Sequence, residues 1–285
     1  MDRDLAKIRD RVRGDFWKVV WSVLVDRQTG AKPRRKCGKT GGTDMTIHGK
    51  TVLVTGANRG IGRALLEEAL NRGAKRVYAV TRQQLNHPDE RVVNLNFDVT
   101  DADAARAAAE TVESLDVLIN NAGIALYDDL TDRSVLEQHL AVNLYGTYNV
   151  TQAFVPQLTR AQGALVNNTS LMAFAPFPIT PAYSVSKAAA FSLTQSLRPL
   201  LARQGVRVHA VLTGPTDTDM TRGFEVPKAS PESVARGIFD GLDNGEEDIF
   251  PDAMSQNLAD SWNNGATKAF ERQSASILDA VPAAA

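Results

Sequence analysis

The sequence predicts an α/β fold: a doubly wound, mostly parallel seven-stranded sheet with helices on both faces. Three observations carry that expectation. Short, continuous apolar runs rich in Val, Leu and Ile recur along the chain, the pattern of strands buried on both sides. Helical segments with apolar residues at three- and four-residue steps separate them, so each strand leads into a crossover rather than a hairpin. The first strand runs directly into a glycine-rich turn and a helix, the opening of a βαβ unit.

The elements follow in order. Thr51–Thr55 is a short β-branched strand, followed by the turn Gly56-Ala57-Asn58-Arg59-Gly60-Ile61-Gly62. A helix with Ala64, Leu65, Leu66, Ala69 and Leu70 runs to Gly73, and Arg76–Thr81 is the second strand. Val92–Phe97 is the third, Asp101–Ser114 an alanine-rich helix, and Val117–Asn120 the fourth strand. Helical segments fill 131–161, and Ala164–Ser170 is the fifth strand. A helix through Tyr183 reaches Ala202, with Gly205 as its stop signal. Val206–Val211, a helix over Pro231–Leu242 and the short strand Asp248–Phe250 complete the sheet. The tail carries Leu258, Trp262, Ala266, Phe270 and Ile277 at roughly helical steps, suited to capping a pocket or packing on another subunit.

Composition narrows the class. The chain has 285 residues, 43 % hydrophobic, and a net charge of −1, which suits one large soluble α/β domain. One cysteine, Cys37, and four histidines leave no disulfide framework and disfavour a Cys/His metal cluster, so no metal is expected. No apolar run reaches the ~20 residues needed to span a bilayer. No secretory signal pattern is evident either. The expected location is cytoplasmic.

Charge is unevenly spread. Residues 1–44 hold twelve Lys/Arg and six Asp/Glu, whereas the remainder holds 20 and 27. The expected organisation is a basic extension and linker over 1–44, a catalytic domain over 45–255 and a helical tail over 256–285. Residues 1–26 form an amphipathic pattern through Leu5, Ile8, Val12, Phe16, Val19 and Val23. It suits peripheral contact with an anionic membrane, packing on a partner, or an extension outside the working domain with Met45 as an alternative start. The last is preferred, because a self-sufficient fold begins just after it. The basic run Arg34–Lys39 lacks an aromatic stacking surface, so no nucleic-acid partner is expected.

Two stretches carry chemistry. Glycines after the first strand let the backbone approach a pyrophosphate, and the next helix presents its N-terminal N–H groups. At the end of the second strand, where an acid usually selects NAD, the chain has Thr81-Arg82. Arg82 and Arg59 suit a 2′-phosphate, so NADP(H) is preferred, with NAD(H) as the second option. Farther on, Tyr183 and Lys187 lie four apart on one helix face. A free tyrosine titrates near ~10, and a neighbouring cation favours the phenolate. A lowering of ~3 units corresponds to about 4 kcal/mol.

Together these stretches resemble the short-chain dehydrogenase/reductase family, a Rossmann-type fold. The match rests on TGANRGIG (Thr55–Gly62), Asp98-Val99, NNAG (Asn120–Gly123), the strand end at Ser170, and Tyr183-xxx-Lys187, all in order over about Thr46 to Phe250. The resemblance implies that Gly56, Asn58, Arg59, Gly60, Ile61 and Gly62 hold the pyrophosphate and adenosine side, with Arg82. It implies that Asp98 and Val99 contact the adenine, and that Asn120, Ala122 and Gly123 line the cofactor's middle. Gly214, Pro215, Thr216 and Thr218 would flank the nicotinamide. Asn143, Ser170, Tyr183 and Lys187 match a catalytic tetrad. In it, Tyr183 is the general acid or base and Ser170 orients the substrate oxygen. Lys187 lowers the tyrosine's pKa and binds the nicotinamide ribose, and Asn143 holds a water leading to solvent. One departure stands out: Thr213 replaces the proline usual before Gly214, and Pro215 follows.

The resemblance implies an NADP(H)-dependent oxidoreductase interconverting a carbonyl and a secondary alcohol, assembled as a homodimer or homotetramer through the helices over 131–161 and 183–202. The apolar, proline-rich loop Leu171–Ile179 suggests an apolar small-molecule substrate. Two other functions compete: a non-catalytic redox sensor that binds a dinucleotide, disfavoured by the complete Ser/Tyr/Lys set, and a sugar-nucleotide epimerase or dehydratase, disfavoured by the glycine spacing and short C-terminal region.

Overall fold

Strand β1 (Thr51–Thr55) is buried at every position and lies beside the central strand β4 in a seven-stranded, wholly parallel sheet of order β3-β2-β1-β4-β5-β6-β7. The other strands are β2 (Arg76–Thr81), β3 (Val92–Asn96), β4 (Val117–Asn120), β5 (Ala164–Asn168), β6 (Arg207–Val211) and β7 (Asp248–Ile249). This computed structural model describes residues 46–276. The expectations for residues 1–44 and for Ile277 fall outside the described residues.

Alternation along each strand builds a core on either face. Val52 and Val54 of β1, Ile119 of β4 and Val166 of β5 point to one side. There they meet Leu65, Leu66 and Ala69 of α1 (Gly60–Asn71) and Ile238, Phe239 and Leu242 of α6 (Pro231–Asp243). Leu53, Leu118 and Leu165 point the other way, onto Val150, Phe154 and Leu158 of α4 (Thr147–Ala161) and Leu197 and Leu201 of α5 (Pro181–Ala202). Helix α2 (Ala102–Thr111) joins this layer through Ala105 and Ala109, and Asp101 caps its start.

The segment 131–161 is not one helix. It divides into α3 (Arg133–His139), a π-helical stretch Leu140–Gly146, and α4. The fifth strand ends earlier than expected, because Ser170 turns to cap the short 3₁₀ segment Leu171–Ala173. Two tail helices, α7 (Ala253–Asn263) and α8 (Ala266–Ala275), pack on the chain's own sheet edge: Trp262 stacks on Phe174, with ring centroids 4.4 Å apart, and Lys268 is fully buried. Among the described residues no helix is long and apolar enough to cross a membrane.

Chain direction across the sheet reverses between β1 and β4, which opens a crevice beyond their C-terminal ends. Most sequence-predicted site residues lie on the turns, loops and helix starts that follow the strands; Asn120 ends β4 itself, and Asn143 lies within the π-helical stretch.

Candidate active site

The glycine turn is shaped by close approach. A Cβ on Gly62 would lie 2.1 Å from the Gly56 carbonyl oxygen and 2.6 Å from Asn121 Nδ2. Gly56, at φ +67°, faces Ala122 across the crevice, where a Cβ would come within 3.1 Å of its Cα. Gly60, at φ +52°, would meet the Thr218 methyl at 3.1 Å. Helix α1 begins after an extended Arg59 with no side-chain cap, so its first N–H groups are left for an outside acceptor. Asn58 is exposed and Ile61 packs against the core. These features fit a pyrophosphate cradle.

The cation expectation needs one correction. Arg82 is exposed, but Arg59 is not free: its guanidinium pairs with Asp219 at 3.2 Å, on the loop after β6. Both partners are solvent-exposed, so the pair is weak enough for an incoming phosphate to displace. Asp98 accepts hydrogen bonds from the Thr100 backbone and hydroxyl (2.9 and 2.8 Å), which holds the turn after β3, and Val99 packs against Gly146.

A polar string crosses the ends of the four central strands. Asn121 Nδ2 donates to the Thr55 carbonyl (3.0 Å), Asn168 Nδ2 donates to Asn121 Oδ1 (3.0 Å), and the Thr213 hydroxyl donates to Asn168 Oδ1 (2.6 Å). The Asn168 carbonyl accepts from Lys187 Nζ at 2.8 Å. Asn120 does not line the crevice with its side chain. It is the last residue of β4, and alternation turns it into the core, where it donates to Thr151 and Asn167, both at 2.9 Å. Asn121, one residue on, faces the site; the sequence signal was present in the second asparagine of NNAG.

Helix α5 presents Tyr183 and Lys187 on one face, with Lys187 Nζ 5.7 Å from the centre of the Tyr183 ring. The Ser170 hydroxyl donates to the Thr213 carbonyl (3.4 Å), accepts from the Met172 N–H (3.2 Å) and favours the ionised form of the phenol. Burial is the dominant influence on both groups. It raises the Tyr183 phenol above its ordinary value, against the opposing pull of Ser170, and lowers Lys187 to about 8. A lowered phenol would need the Lys187 ammonium together with a cationic cofactor ring, because burial by itself acts in the opposite direction. Asn143 is buried in the π-helical stretch, and its side chain makes three hydrogen bonds. Its Oδ1 accepts from the Ile124 N–H (2.9 Å), and its Nδ2 donates to the Ile124 carbonyl (3.0 Å) and Ser186 Oγ (2.9 Å). Asn143 thus anchors the loop after β4 to α5, and Oδ1 keeps one acceptor lone pair. Gly123 lies between Asn143 Oδ1 and Lys187 Nζ; a Cβ there would come within 3.1 and 3.7 Å of them.

Two further residues shape the site. His139, fully buried, accepts from the Leu126 N–H at Nε2 (3.0 Å) and stands edge-on to the Tyr183 ring at 6.3 Å. Its Nδ1 lies 2.7 Å from the Val135 carbonyl, so the neutral ring with a proton on Nδ1 satisfies both contacts. Asp252 accepts from the Gly214 N–H (2.8 Å), and a Cβ on Gly214 would meet its Oδ1 at 2.6 Å. The turn after β6 is kept by this contact despite Thr213 in place of proline. Pro215 and Thr216 pair with Ala229, and Thr218 seats against Gly60. Neither His139 nor Asp252 has a sequence signal beyond lying in a helical segment and near a turn.

The chain is similar to known proteins in sequence and fold. Residues 50–228 match the family described as short chain dehydrogenase. An uncharacterized oxidoreductase of Staphylococcus epidermidis is 34 % identical over 208 residues, spanning 66 % of this chain and 89 % of the relative. The NADPH-dependent 1-acyldihydroxyacetone phosphate reductase of Schizosaccharomyces pombe is 37 % identical over 180 residues, spanning 59 % of this chain and 60 % of the relative. A solved short chain dehydrogenase from Burkholderia cenocepacia, in complex with NADP, superposes with a TM-score of 0.74 at 35 % identity, over 80 % of this chain and 99 % of that one. With the doubly wound sheet, the glycine turn and the Ser170, Tyr183 and Lys187 cluster in place, the chain belongs to the short-chain dehydrogenase/reductase family of oxidoreductases.

Proposed function

We propose that the protein interconverts a carbonyl and a secondary alcohol using NADP(H), with Tyr183 as general acid in reduction and general base in oxidation. The observation that carries this reading is the convergence of Ser170, Tyr183 and Lys187 at the edge of the crevice that the glycine turn opens onto. When bound, the nicotinamide cofactor supplies or accepts the hydride.

The chain's own residues do the rest. Burial keeps the Tyr183 phenol protonated at neutral pH, the state needed to donate to a carbonyl oxygen. Ser170 Oγ beside it supplies a second polar contact that orients that oxygen. The Lys187 ammonium has three donors and gives one to the Asn168 carbonyl, so two remain for the cofactor ribose and for stabilising a developing phenolate. The uncapped start of α1 would hold the pyrophosphate. Arg82 and, after release from Asp219, Arg59 would hold a 2′-phosphate; the relatives and neighbour named for NADPH or NADP support that preference. The exposed Tyr145, Tyr148, Val185 and Leu200 support pairing of two copies through the α4 and α5 face.

Turnover of a ketone panel with NADPH tests the reading. Tyr183→Phe should lower kcat by about 10²–10⁴ while NADPH binding, followed by cofactor fluorescence, is retained. Wild-type rates in that variant would remove Tyr183 from the mechanism. Arg82→Asp should weaken NADPH far more than NADH; equal losses in the two dissociation constants would count against the phosphate assignment.

A further inference from the structure

Strands β4, β5 and β6 are neighbours in the sheet, so the loops that leave them lie side by side at the edge where Ser170 follows β5. Each loop contributes one aromatic ring. Tyr127 from the loop after β4 stacks on Phe224 from the loop after β6, with centroids 5.8 Å apart and planes 23° apart. Phe177, from the loop after β5, lies 6.0 Å from the same Phe224 ring. Leu126, Leu130, Ile179 and Val226 are exposed on the same loops, and Tyr127 itself is 65 % exposed. Rings that touch across three loops, with exposed apolar residues on the same loops, suit a binding surface.

The rings are tied to the reacting group. The Leu126 N–H is held by His139, whose ring faces Tyr183. The Asp128 carboxylate accepts the Ala182 N–H at 3.2 Å, at the start of the helix that carries Tyr183. Tyr127 lies between these two anchors. The Phe177 N–H donates to Ser184 Oγ at 3.0 Å, one residue from Tyr183. Of the charges on the loop after β6, Arg222 pairs with Asp219, and Lys228 Nζ donates to the Thr221 carbonyl at 2.8 Å. The loop after β5 divides its aromatic residues, since Phe174 packs inward on Phe191 and Trp262 and leaves Phe177 at the rim.

We propose that Tyr127, Phe177 and Phe224 form a clamp for a large, uncharged aryl or polycyclic group, so that the substrate is a ketone or alcohol whose reacting carbon is joined to such a group. This rests on the carbonyl–alcohol reading above. A ring entering the clamp exchanges the existing Tyr127–Phe224 contact for contacts on both of its own faces, and it removes exposed apolar surface from water.

The test compares two methyl ketones with the same isolated carbonyl, 4-(naphthalen-2-yl)butan-2-one and butan-2-one, with NADPH and the full-length protein. The naphthyl compound should have the larger kcat/KM by about a hundredfold. Phe224→Ala should reduce that ratio by about tenfold, mainly through KM, with Phe224→Leu reducing it less. A wild-type ratio near one, or a ratio unchanged in both Phe224→Ala and Tyr127→Ala, overturns the clamp. If neither ketone turns over with NADPH or NADH, the carbonyl reading fails instead. Direct titration of the naphthyl ketone, followed by its fluorescence, then decides the clamp: binding weakened by Phe224→Ala supports it, and absent or unaltered binding overturns it.

Discussion

Thr213 stands where the family's turn usually carries proline, and its hydroxyl gives that exchange a consequence. It donates to Asn168 Oδ1, while the backbone carbonyl of the same asparagine receives the Lys187 ammonium. Thr213→Val keeps the shape but leaves a half-buried amide oxygen without its donor, at a cost of about 1–3 kcal/mol. Lys187 would then be held less firmly. The expected result is a several-fold fall in kcat and a shifted pH–rate profile, both restored by Thr213→Ser; a Thr213→Val enzyme with an unaltered profile would show that the bond plays no part in placing Lys187. The exchange itself was legible in the sequence, but its partner was not. Asn168 is distant along the chain, and the bond depends on the register Asn168↔Val211 between β5 and β6. The Asn120 and Asn121 pair has the same lesson: a strand's two-residue alternation sends adjacent identical residues to opposite sides, and only the point where the strand ends decides which one faces the crevice.

At the scale of elements, the glycine turn makes the firmest prediction. Gly62 has no room for a methyl group, since its Cβ would collide with the Gly56 carbonyl at 2.1 Å. Backbone cannot yield as a flexible side chain does, so Gly62→Ala should part the turn from α1, destabilise the fold by about 1–3 kcal/mol and weaken NADPH at least tenfold. Thermal unfolding together with cofactor titration measures both, and wild-type values in both would mean the turn is looser than this packing requires. The seven strands and their order of appearance were legible because buried parallel strands read as unbroken apolar runs. The division of 131–161 was not legible. Residues Leu140–Gly146 keep an apolar pattern that a regular helix would also satisfy, and the π-helical stretch follows from tertiary bonds that Asn143 makes to Ile124 and Ser186. The buried His139 read equally well as one more helix residue.

Across the whole molecule, the sheet edge away from β3 is closed by buried charge. Asp248 on β7 receives Arg198 (2.7 Å), Lys268 (2.6 Å) and the Trp262 indole N–H (2.8 Å), which ties the tail helices to the sheet. In sequence these charges look like ordinary surface residues. Next to them on β6, His209 is buried with Nδ1 2.6 Å from the Glu246 carbonyl and Nε2 without a partner, so the ring is neutral in the fold. Desolvation, aided by Arg207 and Arg198, lowers it to about 4 from an ordinary 6.5. The unfolded chain therefore binds the extra proton first as pH falls. The stability His209 permits is complete above about 6.5 and is lost as pH drops from there toward about 4. Asp248 acts in a lower window: burial raises its carboxyl, but Arg198 and Lys268 outweigh that and hold it below the ordinary 3.8. Between pH 7 and pH 5 the histidine alone should cost about 2 kcal/mol. Urea unfolding at the two pH values checks this. The wild type should lose about that much, whereas His209→Gln, which can still donate to the Glu246 carbonyl, should lose far less. Equal losses in the two proteins would mean that His209 is hydrated or already protonated in the fold, and that acid sensitivity at this edge begins with the carboxylates.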